Sequence, residues 1–349
     1  MILKNEVAII LLKNKKESGL FEYAEIYNKF SPKSELFLLN NIFNKNQWII
    51  LILFFRYKNK CSNFINEIVS NFNLIHICDN PIFSYKILKI LKNKDVKVLY
   101  TLHDPNMHEE KEIINKIKNY VRKFCIARTY KIIKESNNIT LHIHKEYKIP
   151  KPINYVVKEH PLYEGAPEKS KNQTSNFKIG FYGRLEYYKG IDLFLKIIIE
   201  LDKRIKKNDN IEIVIAGQGI VKAPILNNIK IRVFNEFLNT HEFNRLVKST
   251  DLILMPYRQV SQSGILMKSK TYCVPVITSE LKNLTDNFTD QVTGYSISIY
   301  DIELWVKRIL NLYKYKDDLL EVQNKIRVES ENYRPALIVP DLYAKIIDA

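Results

Sequence analysis

Short apolar runs that resemble β-strands alternate with longer helical patterns along this chain, and that alternation constrains its fold more than any other feature. Several runs are continuously apolar, as expected for strands covered by helices on both faces. The candidate strands of the first half are Val7–Leu12, Glu35–Leu39, Leu74–Cys78, Val96–Leu102, Ile139–Ile143 and Tyr155–Lys158. The pattern predicts an α/β protein built on parallel sheets.

The alternation is interrupted once, over residues 163–176, where Gly, Pro, Ser, Asn and Lys replace the apolar periodicity. A chain of 349 residues suits two domains of about 150 residues each. We therefore predict a first domain at 1–165, a linker at 166–176, a second domain at 177–330 and a tail helix at 331–349 that packs back on the first domain.

The second half repeats the strand–helix pattern. Its candidate strands are Phe177–Tyr182, Ile211–Ala216, Lys230–Phe234, Leu252–Pro256 and Val276–Thr278. Ligands of such doubly wound sheets bind beyond the carboxyl ends of the strands, where loops lead into helices. Functional residues are therefore expected in those loops.

The chain carries a formal net charge of +16, and most of it lies in the first half. Residues 1–170 contain 28 Lys and Arg against 17 Asp and Glu. Such an excess favours anionic partners, namely nucleic acid, anionic lipid or phosphorylated substrates, or it serves solubility. The sequence shows no zinc-finger spacing, basic zipper or aromatic RNA-binding motif, so we do not expect nucleic-acid binding.

Cysteines and apolar segments bear on the location of the protein. Four scattered cysteines without short-range pairing are typical of reduced thiols in the cytoplasm, and no metal-ligand spacing is present. Trp48–Phe55 is too short to cross a bilayer, which needs about 20 residues. It is either a buried helix or an interfacial one beside cationic residues. We expect a cytoplasmic protein that binds no metal.

The segment Phe181–Gly190 has the strongest chemical character. Gly183 follows an apolar strand and permits a tight turn, Arg184 comes next, and Lys189 precedes the following helix. A guanidinium fork and an ammonium beside a helix N-terminus suit a diphosphate. The alternative is a pair of cations on a solvated loop.

The ordered motifs around this segment resemble those of a known family. They are Gly183-Arg-Leu-x₄-Lys-Gly190, Ile215-Ala-Gly-Gln-Gly219, Asp251-Leu-Ile-Leu-Met-Pro-Tyr257 and Ser261-Gln-Ser-Gly264 ahead of Val274-Pro-Val-Ile277. Over residues 177–300 they resemble the donor domain of the retaining glycosyltransferases of family 4. The resemblance implies the GT-B fold, with two doubly wound Rossmann-like domains facing each other across a cleft, and phosphate contacts by Arg184 and Lys189.

One departure from that family concerns two glutamates that bind the donor sugar and the ribose. The aligned positions hold Val260 and Lys268, and the chain instead resembles a branch with Gln262-Ser263-Gly264. The N–H groups of Ser263 and Gly264, at the start of a predicted helix, suit a phosphate, although a simple helix cap is the alternative for Ser263. Gln262 suits a sugar hydroxyl or a phosphate oxygen, and the role of Lys268 stays open.

The first half resembles the family in short stretches. His103 and Asp104 follow a predicted strand, and the family's Thr-x-His pattern implies that His103 contacts the transferred sugar. A structural hydrogen bond is the alternative for that histidine, and His108 is either a companion or a surface residue. Ser18 and Gly19 match the acceptor-side loop of GT-B enzymes, although such residues are also ordinary turn formers.

The resemblance implies hexosyl transfer from a UDP- or GDP-sugar to an acceptor hydroxyl, with retention and without a metal or other cofactor. A lipid-linked glycan acceptor, a role in bacterial surface polysaccharide assembly (O-antigen, capsule or lipopolysaccharide) and peripheral contact with the inner membrane face are softer expectations. Two alternatives are a sugar-nucleotide epimerase or phosphorylase of the same architecture, and a catalytically silent relative that binds a partner enzyme.

Overall fold

The computed structural model describes twelve stretches of the chain. They are residues 5–11, 19–31, 33–38, 58–78, 81–103, 113–144, 149–150, 153–163, 176–207, 209–236, 238–260 and 262–348. Internal contacts divide the chain into two units, Met1–Pro161 with Tyr333–Ala349 and Leu162–Asn332. The first unit thus ends four residues before the predicted boundary at 165, and it includes the C-terminal tail. Of the predicted linker at 166–176, only Asn176 lies within the described residues.

The first unit contains a parallel six-stranded sheet in the order β2-β1-β3-β4-β5-β6. The strands are β1 (Asn5–Leu11), β2 (Ser34–Leu38), β3 (Phe72–Ile77), β4 (Lys97–Thr101), β5 (Ile139–Ile143) and β6 (Tyr155–Val157). The helices between them are α1 (Gly19–Phe30), α2 (Lys58–Asn71), α3 (Pro81–Leu91) and α4 (Ile113–Lys134). The strand order reverses at β1, whose neighbours are β2 and β3.

The pattern of burial explains these elements. Residues 7–11 of β1 are all buried, as are four consecutive residues of β3, because both faces of the sheet are covered. Helix α2 was not predicted, although Phe64, Ile65, Ile68 and Val69 recur at helical spacing in its mostly polar sequence and pack on or beside the core.

The second unit contains another parallel six-stranded sheet, in the order β12-β11-β10-β7-β8-β9. The strands are β7 (Phe177–Tyr182), β8 (Ile211–Ala216), β9 (Lys230–Phe234), β10 (Leu252–Met255), β11 (Val276–Thr278) and β12 (Tyr295–Ser296). The helices are α5 (Ile191–Asp202), α6 (Thr240–Lys248), α7 (Gly264–Thr271), α8 (Lys282–Thr285), α9 (Ile302–Lys314) and α10 (Lys316–Ser330). The predicted strands are confirmed within two residues, and the short β12 was missed.

The strand order of the second sheet indicates where a ligand binds. The chain builds β7, β8 and β9 in one direction and then returns to place β10 on the other side of β7. The point of reversal lies between β7 and β10, and in such sheets the crevice beyond the carboxyl ends of these two strands is the usual ligand site. A ligand is therefore expected at the loops that follow β7 and β10.

The last helix, α11 (Pro335–Ile347), packs on α1 and β4 of the first unit. The Tyr343 hydroxyl lies 2.8 Å from His76 Nδ1, and Lys97 Nζ donates a hydrogen bond of 2.7 Å to the carbonyl of Ile347. The tail thereby completes the hydrophobic core beside β4. Among the described helices, none has the length and apolar character needed to cross a membrane.

Candidate functional site

The turn after β7 is held by close backbone contacts. Gly183 follows the strand with φ +104°, and a 3₁₀ turn at Tyr187–Lys189 leads to Gly190 at the start of α5. Gly190 has φ +72°, and a Cβ there would lie 1.8 Å from the carbonyl oxygen of Pro256. Only glycine fits this position, because a side chain would collide with the segment that follows β10. The loops after β7 and β10 are thus in direct contact.

The two cations predicted to bind a diphosphate lie beside one aromatic ring. Arg184 Cζ is 5.2 Å from the centroid of the Tyr188 ring, and Lys189 Nζ is 5.8 Å from it. Lys189 Nζ also lies 3.9 Å from the centroid of Tyr257. Arg184 is half exposed, and its closest carboxylate oxygen, on Glu186, is 3.7 Å away. An exposed pair at that distance is weak, so the guanidinium can turn towards an anion.

A third cation, Arg258, was missed by the sequence analysis. Its two terminal nitrogens donate hydrogen bonds of 2.7 Å to the carboxylate oxygens of Asp192, in the first turn of α5. Its guanidinium also lies 3.9 Å from the centroid of Tyr187 and donates to the carbonyl of that residue. Arg258 therefore ties the loop after β10 to the turn that carries Lys189.

The charge of Arg258 also acts on its partner. Burial alone would raise the pKa of Asp192, but hydrogen bonds from Arg258 and its charge hold that pKa below the ordinary value. Asp192 thus stays ionised at neutral pH. An arginine shortly after a strand end was visible in the sequence, whereas its partner 66 residues earlier was not.

The start of α7 lies next to these cations. A Cβ built on Gly183 would meet Cγ1 of Ile265 at 3.8 Å, which places the second residue of α7 against the turn after β7. Ser263 is the N-cap of this helix, and its hydroxyl accepts a hydrogen bond from the N–H of Leu266. The structural alternative for this hydroxyl, a helix cap, is the role that the structure shows. A phosphate contact by the Ser263 and Gly264 N–H groups stays a prediction.

Gln262 precedes that cap and has an unusual environment. Its Nε2 atom is buried and forms no hydrogen bond with any residue in the described part of the chain. An amide donor in such a position is costly unless it finds an acceptor. Gln262 is therefore suited to bind an oxygen atom of a ligand.

Lys268, at one of the two aligned glutamate positions, is buried within the second unit. Its Nζ donates a hydrogen bond of 2.7 Å to Asn244 Oδ1 on α6 and lies 4.1 Å from the centroid of the Tyr163 ring. These contacts connect α7 with α6 and with Tyr163, at the start of the second unit. The structure gives this lysine a packing role.

In the first unit, His103 lies two residues beyond β4. Its ring meets Tyr23 of α1 edge-on at 4.5 Å between centroids and lies 5.5 Å from the ring of His144. Gly19 is the first residue of the same helix α1. The other predicted residues, Ser18, Asp104, His108 and Trp48–Phe55, lie outside the described residues.

A histidine cluster surrounds His103, with His76, His142 and His144 buried, and it was not predicted from the sequence. Of seven histidines in the chain, five lie in this cluster, which consists of His76, His103, His142, His144 and His160. Thr101 Oγ1 links His76 Nε2 at 2.7 Å to His142 Nδ1 at 2.9 Å, and His142 Nε2 lies 3.0 Å from the carbonyl oxygen of Lys158. The network joins the carboxyl ends of neighbouring strands.

Burial keeps the inner histidines neutral. It lowers the pKa of His142 to about 4 and, together with neighbouring histidines, lowers the pKa of His76 and His144 well below the ordinary value. Within the described stretches of the chain, no group of three or more His, Cys, Asp or Glu side chains is arranged to hold a metal ion. Hydrogen bonds connect His76 and His142 through Thr101 within the histidine cluster.

Comparison with known proteins gives a family match for part of the chain. Residues 176–315 match the family described as glycosyl transferases group 1. Comparison with the curated proteins gives no match. The matched segment contains the turn after β7, the loop after β10 and helix α7.

Solved structures share the fold of the whole chain at low sequence identity. HepE of Anabaena in complex with UDP has a TM-score of 0.69 and 10% identity, over 99% of this chain and 100% of that one. Sucrose-phosphate synthase from Thermosynechococcus elongatus has a TM-score of 0.67 and 8% identity, over 99% and 100%. TarM, a protein of S. aureus, has a TM-score of 0.61 and 14% identity. The match covers 83% of this chain and 58% of TarM, so this chain spans little more than half the length of TarM.

Residues 176–315 thus match the glycosyl transferases group 1 family, and the whole chain shares the two-sheet α/β fold of HepE and sucrose-phosphate synthase. The matched segment lies within the second unit. A shared fold does not determine the donor, the acceptor or the stereochemical course.

Proposed function

We propose that the protein transfers a hexosyl group from a UDP- or GDP-sugar to an acceptor hydroxyl with retention at the anomeric carbon. The observation that carries this proposal is the pair of cations, Arg184 and Lys189, beside the Tyr188 ring at the reversal between β7 and β10. The solved complexes of HepE with UDP and with UDP-glucose support a nucleotide sugar as the donor.

In this proposal the leaving diphosphate is stabilised by the protein without a metal ion. The guanidinium of Arg184 binds two phosphate oxygens, and Lys189 supplies a second positive charge. The N–H groups of Ser263 and Gly264 add donors at the start of α7. Fixed donors of this kind stabilise negative charge that develops in the transition state.

We further propose roles for the residues that face the sugar. Gln262 is buried at Nε2 and needs an acceptor, which a sugar hydroxyl or a phosphate oxygen provides. His103 contacts the transferred sugar, while Ser18, Gly19 and Asp104 belong to the acceptor side. No protein nucleophile takes part, and the leaving phosphate accepts the proton of the acceptor hydroxyl.

The chain is proposed to be a member of the family 4 branch with Gln-Ser-Gly in place of the two glutamates. Its acceptor is a glycan or lipid-linked glycan of bacterial surface polysaccharide assembly, at the cytoplasmic face of the plasma membrane. The net charge of +11 over residues 1–170 supports contact with an anionic membrane surface.

The first test is thermal denaturation of the purified protein with UDP, GDP, CDP, ADP and dTDP. One nucleotide is expected to raise the melting temperature, and Arg184→Ala should reduce that shift because the guanidinium fork is lost. Arg327→Ala, which removes an exposed arginine of α10, is the matched control and should keep the shift. The diphosphate assignment is wrong if Arg184→Ala and Arg327→Ala behave alike.

The second test uses the sugar donors of the nucleotide that binds. We expect release of nucleoside diphosphate together with a new glycoside that has the anomeric configuration of the donor. EDTA should leave the rate of this reaction unchanged. An isomerised donor without a new glycoside would identify an epimerase. Absence of binding to all five nucleotides would favour the catalytically silent relative.

A further inference from the structure

Helix α4 (Ile113–Lys134) has a charge composition unlike the other helices described above. Its 22 residues include seven Lys or Arg and no Asp or Glu. It therefore accounts for a large part of the positive charge of the first half of the chain. No acidic residue within the helix offsets this charge.

The two faces of α4 differ in burial. One face packs on α3 and β5 through the buried residues Cys125, Ile126, Thr129, Ile132 and Ile133. The opposite face is defined by Tyr120, Phe124, Arg128 and Lys131, which follow one another at helical spacings of four, four and three residues. This outward face is exposed over about three turns of the helix.

Large aromatic side chains lie on this outward face. Tyr120 is 73% exposed, Phe124 is 50% exposed, and the neighbouring Val121 is also exposed. The guanidinium of Arg128 lies 5.0 Å from the centroid of the Phe124 ring. Exposed Lys123 and Lys134 extend the positive charge along one side of this outward face. Aromatic and cationic groups are therefore interleaved on one surface.

We propose that the outward face of α4 binds the surface of an anionic lipid bilayer. Phenylalanine and tyrosine enter the boundary between headgroups and acyl chains, whereas lysine and arginine pair with anionic headgroups. An anionic bilayer offers negative headgroups to the cations and an apolar boundary region to the exposed rings. An acidic protein would pair with the cations only, so the two features together favour a bilayer. This inference specifies the membrane contact of the proposed function and rests on it, but it does not depend on donor binding.

The experiment is cosedimentation of the full chain with vesicles of phosphatidylcholine alone and of phosphatidylcholine with phosphatidylglycerol. The protein is expected to bind the anionic vesicles, and binding should fall steeply as salt is raised. Lys123→Glu with Arg128→Glu should lower the partition coefficient about 30-fold or more. Tyr120→Ser with Phe124→Ser should lower it about tenfold or more, because apolar area no longer enters the interface.

A matched control is available in the second unit. Lys307→Glu with Lys316→Glu changes the net charge of the protein by the same amount at exposed positions of α9 and α10. This variant should bind vesicles as the parent protein does. Circular dichroism and the melting temperature establish that all three variants are folded.

Three results would overturn the proposal. They are absence of binding to anionic vesicles, equal losses in the α4 and control variants, and binding to an RNA oligonucleotide through α4 in place of vesicles. The nucleotide-induced thermal shift, measured without lipid, should persist in the α4 variants. Failure of the membrane inference and failure of the donor assignment are therefore distinguishable.

Discussion

Arg258 holds together two loops at the predicted donor site. It bridges the loop after β10 to Asp192 and to the carbonyl of Tyr187, next to the turn that carries Lys189. Its own backbone N–H donates 2.8 Å to the carbonyl of Tyr188. Arg258 thus makes five contacts with Tyr187, Tyr188 and Asp192, which flank Lys189 in the chain, including the stacking on the Tyr187 ring.

We expect Arg258→Ala to weaken nucleotide binding about fivefold to tenfold and to lower the free energy of unfolding by about 1–2 kcal/mol. The stability loss is modest because the pair with Asp192 is partly exposed. Binding weakens because Lys189 is no longer held in place, and isothermal titration with the nucleotide measures the change.

Arg308 provides the matched control for this prediction. It also stacks on a tyrosine, at 4.4 Å from the centroid of Tyr295, and donates a hydrogen bond to Gln291, but it lies on α9. Arg308→Ala should cost similar stability and leave nucleotide affinity unchanged. Equal losses of affinity in both variants would contradict the positioning role of Arg258.

At the scale of elements, the strands were predicted more completely than the contacts that hold the helices. Runs such as Ile211–Ala216 are buried on both faces, and that leaves a clear apolar signal in the sequence. The turn that carries Arg184 and Lys189 could be recognised in the sequence because glycines and cations follow one strand closely, and diphosphate binding by these two residues stays a prediction. The histidine cluster could not be recognised, because its members come from separate strand ends and meet only once the sheet order is known.

Helix α7 illustrates the same limit. Its residues from Ile265 to Thr271 are all buried, including Lys268 and Lys270, so that polar pairs replace an exposed face. Lys268 is held by Asn244 of α6, and Lys270 pairs with Glu329 of α10 at 2.8 Å. The acceptor for Lys268 lies 24 residues earlier, a distance that no helical or strand periodicity indicates.

The link between α6 and α7 leads to a prediction on stability. Asn244→Ala should lower the free energy of unfolding by about 1–3 kcal/mol, because a buried ammonium loses a hydrogen-bond acceptor. Lys268→Met removes the charge and keeps the length of the side chain, so Asn244→Ala should cost less when Lys268→Met is already present. Urea denaturation of both single variants and the double variant measures the coupling, expected to be about 1 kcal/mol.

A strictly additive double variant would contradict the packing role of Lys268. The nucleotide affinity of Lys268→Met gives an independent readout. A ligand contact at this position predicts a large loss of affinity, whereas a packing role predicts a change of less than about threefold.

Across the whole molecule, each of the two units contains six described strands, but the units differ in the number of histidines that they contain. The second unit, Leu162–Asn332, contains a single histidine, His241, which is exposed on α6. The first unit contains the histidine cluster, where the imidazoles face Tyr23, Tyr27, Tyr343 and Cys78. Acid should therefore affect the stability of the first unit through a mechanism that the second unit lacks.

The sign of this effect follows from the lowered pKa values. Burial lowers the pKa of His142 to about 4 in the folded protein, against about 6.5 for an unfolded chain. Between these values the unfolded chain binds more protons, so stability is present above pH 6.5 and is lost as the pH falls towards 4. Each such histidine lowers the free energy of unfolding by up to about 1.4 kcal/mol per pH unit in this window.

Hydrogen exchange at pH 7, 6 and 5, corrected for the intrinsic exchange rate, measures the effect in each unit separately. As the pH is lowered, protection of β3 and β5 should fall more steeply than protection of β8, which serves as the internal control. His142→Asn removes one titrating imidazole and should make the fall in the first unit shallower, even if it lowers stability at pH 7. Parallel losses in β5 and β8 would instead point to carboxylates throughout the chain, since their protonation is not confined to one unit.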